Sequence, residues 1–147
     1  QERRFPIMLH SQLSKNIKEF EESGGAYIMY SIARARSIER RVALEYPDFK
    51  MQDLDLNISM LDKTEISIVK KILFYPRIVL KAAETDNPAV LAEFLLSLAK
   101  EFNGYYENKK VIENDLVNKE RFYLISAVAQ VLTNGMSLCH ATAPEII

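Results

Sequence analysis

The sequence predicts an all-α fold, a bundle of about five helices. Three observations carry that reading. Apolar residues recur at three- and four-residue steps through most of the 147 residues. Only 4 Gly and 5 Pro are present, about half the usual share, so turns are scarce and long helices are favoured. No stretch reads as a strand, which excludes a Rossmann fold and any doubly wound sheet.

Each element follows from its own pattern. A first helix starts near Gly25 and runs to about Glu45, with Ile28, Ile32, Ala35, Ile38 and Val42 on one apolar arc. Tyr46-Pro47-Asp48 stops it. Residues 47–61 are weakly patterned. Asp62-Lys63-Thr64-Glu65 has the form of a capping box and opens a helix expected to face Ile66, Val69 and Leu73 inward. Pro76 is expected to interrupt it, with a further turn or two carrying Ile78, Val79 and Ala82. Asn87 caps the next helix and Pro88 takes its first position. Its stripe is Leu91, Phe94, Leu95, Leu98, Phe102 and Tyr105. Residues 108–115 are again weak. A last helix carries Leu124, Ile125, Val128, Val131, Leu132 and Met136. Phe94, Leu98, Val128 and Val131 are read as core.

Composition excludes several classes of function. With 48% hydrophobic and 27% charged residues the chain is globular, and its length suits one domain. A net charge of −1 gives no global case for nucleic acid, so any such case rests on local clustering. No apolar run approaches the roughly 20 residues of a membrane span, and no signal peptide opens the chain. The single Cys139 forms no internal disulfide, and a cytoplasmic protein is the expectation. His10 and His140 are the only histidines and stand in no zinc pattern. The four glycines form no phosphate loop. Cys139 and His140, adjacent on a helix, point about 100° apart, so the thiol reads as buried and inert. Asp53 and Asp55 sit in a loop with no catalytic partner. No catalytic residue, metal or cofactor is therefore expected in this chain.

The first helix carries one unusual feature. At about 100° per residue, Tyr27, Tyr30, Arg34, Ser37 and Arg41 share an arc distinct from the apolar one, with Arg36 and Arg40 flanking it. Aromatic rings that stack on bases, interleaved with fixed positive charge for phosphates, are what single-stranded RNA recognition needs. The same arc also suits a helix–helix boundary, where tyrosines pack and arginines pair with nearby glutamates.

Five segments in order resemble the C-terminal region of the arginyl-tRNA synthetase family. Gly25-Ala26-Tyr27-Ile28-Met29-Tyr30, followed by Arg34 and Ser37, is similar to the family's Gly-Pro-Tyr-x-Gln-Tyr-x-x-x-Arg-x-x-Ser. Phe74-Tyr75-Pro76 with Val79 and Ala82-Ala83 is similar to Phe-Pro-x-x-Val-x-x-Ala-Ala. Asn87-Pro88 through Phe102-Asn103 and Tyr105-Tyr106 resembles the helix ending in Phe-Asn-x-Phe-Tyr. Arg121 through Asn134-Gly135-Met136 resembles the last long helix, and Ala143-Pro144-Glu145 the approach to the terminus. The likeness spans residues 24–147 and points to the DALR-type anticodon-binding domain.

The resemblance implies a role and a set of residues. Residues 1–24 would be a lead-in from a catalytic domain not present in this chain, and residues 25–147 the helical domain. The implied site for the tRNA anticodon is Tyr27, Tyr30, Arg34 and Ile147, with Asn103 and Tyr106 behind them. Arg34 and its neighbours are expected to hold phosphates, Arg36 and Arg41 more weakly. The implied partners are the anticodon arm of an arginine-accepting tRNA and the synthetase's own catalytic domain, with no membrane and no DNA. ATP and Mg belong to the full-length enzyme, where arginine is activated, and this chain alone is expected to be inactive. Four departures stand out. Met29 replaces a glutamine that hydrogen-bonds. His140 stands where the family has a glycine after the last helix. Ile147 replaces a final methionine. Asn118-Lys119-Glu120-Arg121 keeps only the arginine of Asp-Ala-Leu-Arg. Two other readings stay open: a stand-alone, non-catalytic tRNA-binding adaptor, and a helical protein-interaction module.

Overall fold

The computed structural model describes residues 24–50 and 56–142, the last three by their backbone alone. Four α-helices and a two-stranded hairpin follow one another: α1 (Ala26–Glu45), α2 (Lys63–Glu84), α3 (Pro88–Asn108), β1 (Ile112–Glu113), β2 (Leu116–Val117) and α4 (Lys119–Thr142). The expected all-α bundle is therefore present, with four helices among the described residues. His10, Asp53, Asp55, Ile147 and all but the last residue of the expected lead-in lie outside the described residues.

Helix α1 begins after the buried Gly24 and Gly25 and ends where Tyr46 turns out of the helix and Pro47 follows. Phe49 then packs edge-on against Phe122, with ring centroids 4.9 Å apart, and ties the loop to α4. Asn57 caps a single 3-10 turn, Ile58–Met60, by accepting from the Ser59 amide. Helix α2 opens with the expected capping box. The Glu65 amide donates to Asp62 Oδ1 at 2.9 Å and the Asp62 amide to Glu65 Oε2 at 2.8 Å.

Two expectations for α2 are corrected. The helix runs through Pro76 without interruption. A proline removes one helical hydrogen bond, and this ring lies at the exposed surface while the residues around it pack against α3. The inward face is also rotated. Ile68 is fully buried, with Val69, Ile72, Tyr75 and Val79 packed against the core, whereas Ile66 is 37% and Leu73 71% exposed. Two apolar stripes compete on this helix. The buried face is the one that carries Glu65, which is held by Tyr105 on α3 and Arg121 on α4, and Ile68 lies on the same face.

The α2–α3 connection is short. Asp86 adopts φ 48°, a left-handed conformation that aspartate tolerates better than most residues, and the Asn87 amide reaches back to the Ala82 carbonyl at 2.9 Å. Asn87 then accepts from the Ala89 amide, and Pro88 occupies the first turn. After α3, Asn114 and Asp115 both take positive φ, 50° and 58°, and fold a two-residue hairpin that pairs Ile112 with Val117 and Glu113 with Leu116. That hairpin corrects the expectation of no strand.

Helix α4 starts as Asn118 accepts from the Arg121 amide. It continues through His140, so that position is helix interior and not the C-terminal cap the resemblance implied. The 119–139 segment is long and apolar enough to cross a membrane, contrary to expectation, but more than half of it is buried inside the fold. Its apolarity is that of a core helix. The core lies where α1, α3 and α4 meet and α2 covers α3: Ile28 and Ala35, Leu95, Leu98 and Phe102, Ile125, Val128 and Leu132, with Ile68 from α2. Gly135 lets α4 approach Leu95 closely.

Candidate nucleic-acid interface

The contact between α1 and the C-terminal end of α3 brings together four of the residues singled out in the sequence. The Arg34 guanidinium carbon lies 4.7 Å from the centroid of the Tyr30 ring and 4.8 Å from that of Tyr106. Both distances suit cation–π attraction. Arg34 Nη1 donates to Asn103 Oδ1 at 3.1 Å and stands 3.8 Å from Glu107 Oε1. Asn103 is buried, and its Nδ2 donates to Ser31 Oγ at 2.7 Å. Ser31, fully buried, donates onward to the Tyr27 carbonyl at 2.9 Å.

Tyr30 is 53% exposed, so one aromatic ring is offered to solvent beside a fixed guanidinium. Tyr106 is half-buried and meets Phe102 edge-on at 5.9 Å. Tyr27 is half-buried against the core, less open than its neighbour. Met29 is 54% exposed next to Tyr30 and adds an apolar surface there. Arg36 and Arg41 remain on the surface of α1, paired with Glu39 at 2.7 Å and Glu45 at 3.0 Å. Of the two tyrosines on this arc, Tyr30 faces solvent and Tyr27 packs against the core, while Arg36 and Arg41 pair with glutamates of their own helix. Ser31 was not singled out in the sequence. Its only signal is a small polar residue among the apolar positions of α1.

A second cluster closes the same end of the bundle. Glu65 is 2% exposed, and its Oε1 accepts from Arg121 Nε at 3.2 Å and from the Tyr105 hydroxyl at 3.1 Å. Burial, then the Glu65 carboxylate beside it, pushes the Tyr105 phenol far above its usual range, so it stays a donor. Arg121 Nη1 reaches the Lys110 carbonyl at 2.7 Å. Lys109 pairs with Asp62 at 2.8 Å, and this hydrogen bond, with one from the Glu65 backbone, holds the Asp62 carboxyl below the ordinary aspartate value. The arginine kept from the Asp-Ala-Leu-Arg segment is thus internal.

Cys139 is half-buried, and burial pushes its thiol up from its ordinary value, in keeping with an unreactive side chain. Among the described residues no three His, Cys, Asp or Glu side chains converge as a metal site.

Comparison with known proteins bears on the family and the fold. The family model described as the DALR anticodon binding domain matches residues 28–147. The arginine–tRNA ligase of Lactobacillus acidophilus is 36% identical over 129 residues, 88% of this chain and 22% of that protein. That of Oenococcus oeni is 32% identical over 131 residues, again 22% of its length. The solved Thermus thermophilus arginyl-tRNA synthetase superposes with a TM-score of 0.63 at 29% identity, covering 84% of this chain and 21% of that one. The chain spans about a fifth of the length of each.

Proposed function

The chain belongs to the DALR anticodon binding domain family, and from that premise we propose that it selects arginine-accepting tRNA for an arginine–tRNA ligase by gripping the anticodon loop. The observation that carries this reading is the exposed Tyr30 ring set against Arg34 and Tyr106. Unpaired loop bases splay out and stack on such rings, which have no sequence preference of their own, and are then read at their edges. Tyr27, Asn103 and Ile147 complete the proposed site. Arg36 and Arg41 supply weaker phosphate contacts. The exposed Arg41–Glu45 pair is worth at most about 1 kcal/mol, so a phosphate competes with that carboxylate; the Arg36–Glu39 pair is partly buried.

On this reading, activation of arginine with ATP and magnesium falls to a catalytic domain, the second partner of the chain. The work is done in the cytoplasm, with no part for DNA or membrane. Binding of the chain to the anticodon stem-loop of an arginine-accepting tRNA, against a loop-scrambled control at two salt concentrations, tests it. Preferential, salt-weakened binding is expected. Tyr30→Ala should cost about 1–3 kcal/mol of affinity with folding intact, the worth of one stacking platform. Equal affinity for both loops, or an unaffected Tyr30→Ala, overturns the assignment.

A further inference from the structure

The hydrogen bonds around Arg34 have forced polarity. Arginine has no acceptor, so Asn103 turns its Oδ1 toward Arg34. Its amide nitrogen must then face Ser31 Oγ, and the Ser31 hydroxyl is left to donate to the Tyr27 carbonyl. Two members of this relay, Ser31 and Asn103, are 0% and 6% exposed. The relay ends on a guanidinium that has one aromatic ring within 5 Å on each of two helices. The Arg34 side chain itself is 23% exposed, and the carboxylate of Glu107 stands near it. This is poor access for a phosphate and good placement for a spacer.

We infer that Arg34 is a positioning residue, locked through Asn103 by the buried Ser31 hydroxyl, and that it orders the Tyr30 ring for an incoming base instead of clamping a phosphate. The inference rests on the anticodon-loop reading above and specifies how that site is built. One consequence is that a fully buried serine, unable to touch RNA, controls RNA affinity. Another is that lysine does not replace arginine, because an ammonium has neither the planar stacking surface nor the fork that meets Asn103.

Stem-loop affinity across a salt series, for the wild type, Ser31→Ala, Arg34→Lys, Arg34→Ala and the Ser31→Ala/Arg34→Ala double variant, tests this. Ser31→Ala and Arg34→Lys should each weaken binding about ten-fold with the salt slope unchanged, and the double variant should be no weaker than Arg34→Ala alone. A simple loss of fold stability would not produce that non-additivity at temperatures where every variant is folded. A phosphate clamp gives the opposite result: Arg34→Lys retains affinity, Arg34→Ala lowers the salt slope by about 0.7, and Ser31→Ala changes nothing. That result overturns the inference.

A second measurement does not depend on RNA. The chain has no tryptophan, so Tyr30→Trp places a single reporter in the platform. Its steady-state anisotropy should fall when Ser31→Ala or Arg34→Lys is added. If no variant binds the stem-loop yet the anisotropy falls, the positioning role stands and the RNA reading fails. Unchanged anisotropy overturns the positioning role.

Discussion

Arg121 shows at the residue scale how much depends on a single buried charge. It donates to Glu65 and to the Lys110 carbonyl, and Tyr105 shares the same carboxylate oxygen. Arg121→Ala leaves Glu65 buried without its cation, so we expect a loss of about 3–5 kcal/mol, read from the urea midpoint. A loss under about 1 kcal/mol would mean that water enters and replaces the guanidinium. The Lys109–Asp62 pair makes a pH statement. The folded carboxyl sits below its ordinary value, so its contribution is complete above the unfolded value and is lost as pH falls through the lower folded one. Lys109→Ala should move the Asp62 titration, followed by NMR, up toward the ordinary value. At this scale Tyr30 and Arg34 were legible because helical spacing alone puts them on one arc. The Ser31–Asn103 bond was not, because 72 residues separate its partners and no local pattern pairs them.

Helices were legible as elements wherever one signal dominated. Asn87-Pro88 and the capping box at Asp62 mark their starts because each satisfies orphan backbone donors locally. Helix α2 was misread in two places, for reasons that belong to tertiary structure. Its inward face is chosen by the partners of Glu65 on α3 and α4, and its continuity past Pro76 by packing against α3. The hairpin was missed because Asn-Asp is a weaker turn signal than Asn-Gly and each strand has only two residues. Gly135 is a test at this scale. A Cβ there would lie 3.0 Å from Leu95 Cγ and closer still to its methyl groups, and Leu95 is fully buried. Gly135→Ala should therefore destabilise by about 1–3 kcal/mol despite the better helix propensity of alanine, as thermal unfolding would show. A stabilised variant would mean that α3 and α4 slide apart freely.

For the molecule as a whole, the bundle and its family were legible from the order of weak segments, since each constrains the next along one chain. The C-terminal end of α3 belongs to both clusters. Asn103 and Tyr106 face α1, while Tyr105 and the capping Lys109 face α2 and α4. If that end of the helix opens as one unit, it acts as a shared latch, and local opening of a few backbone amides releases the ring platform and the buried ion pair together. Amide hydrogen exchange at Asn103, Tyr105 and Tyr106 should slow when the stem-loop binds and quicken in Arg121→Ala, though neither perturbation touches all three. Exchange that responds to one perturbation and not the other would show two independent latches. If it responds to both, the grip on RNA and the integrity of the fold are set by one opening equilibrium, and a substitution far from the RNA can loosen that grip without altering any contact to it.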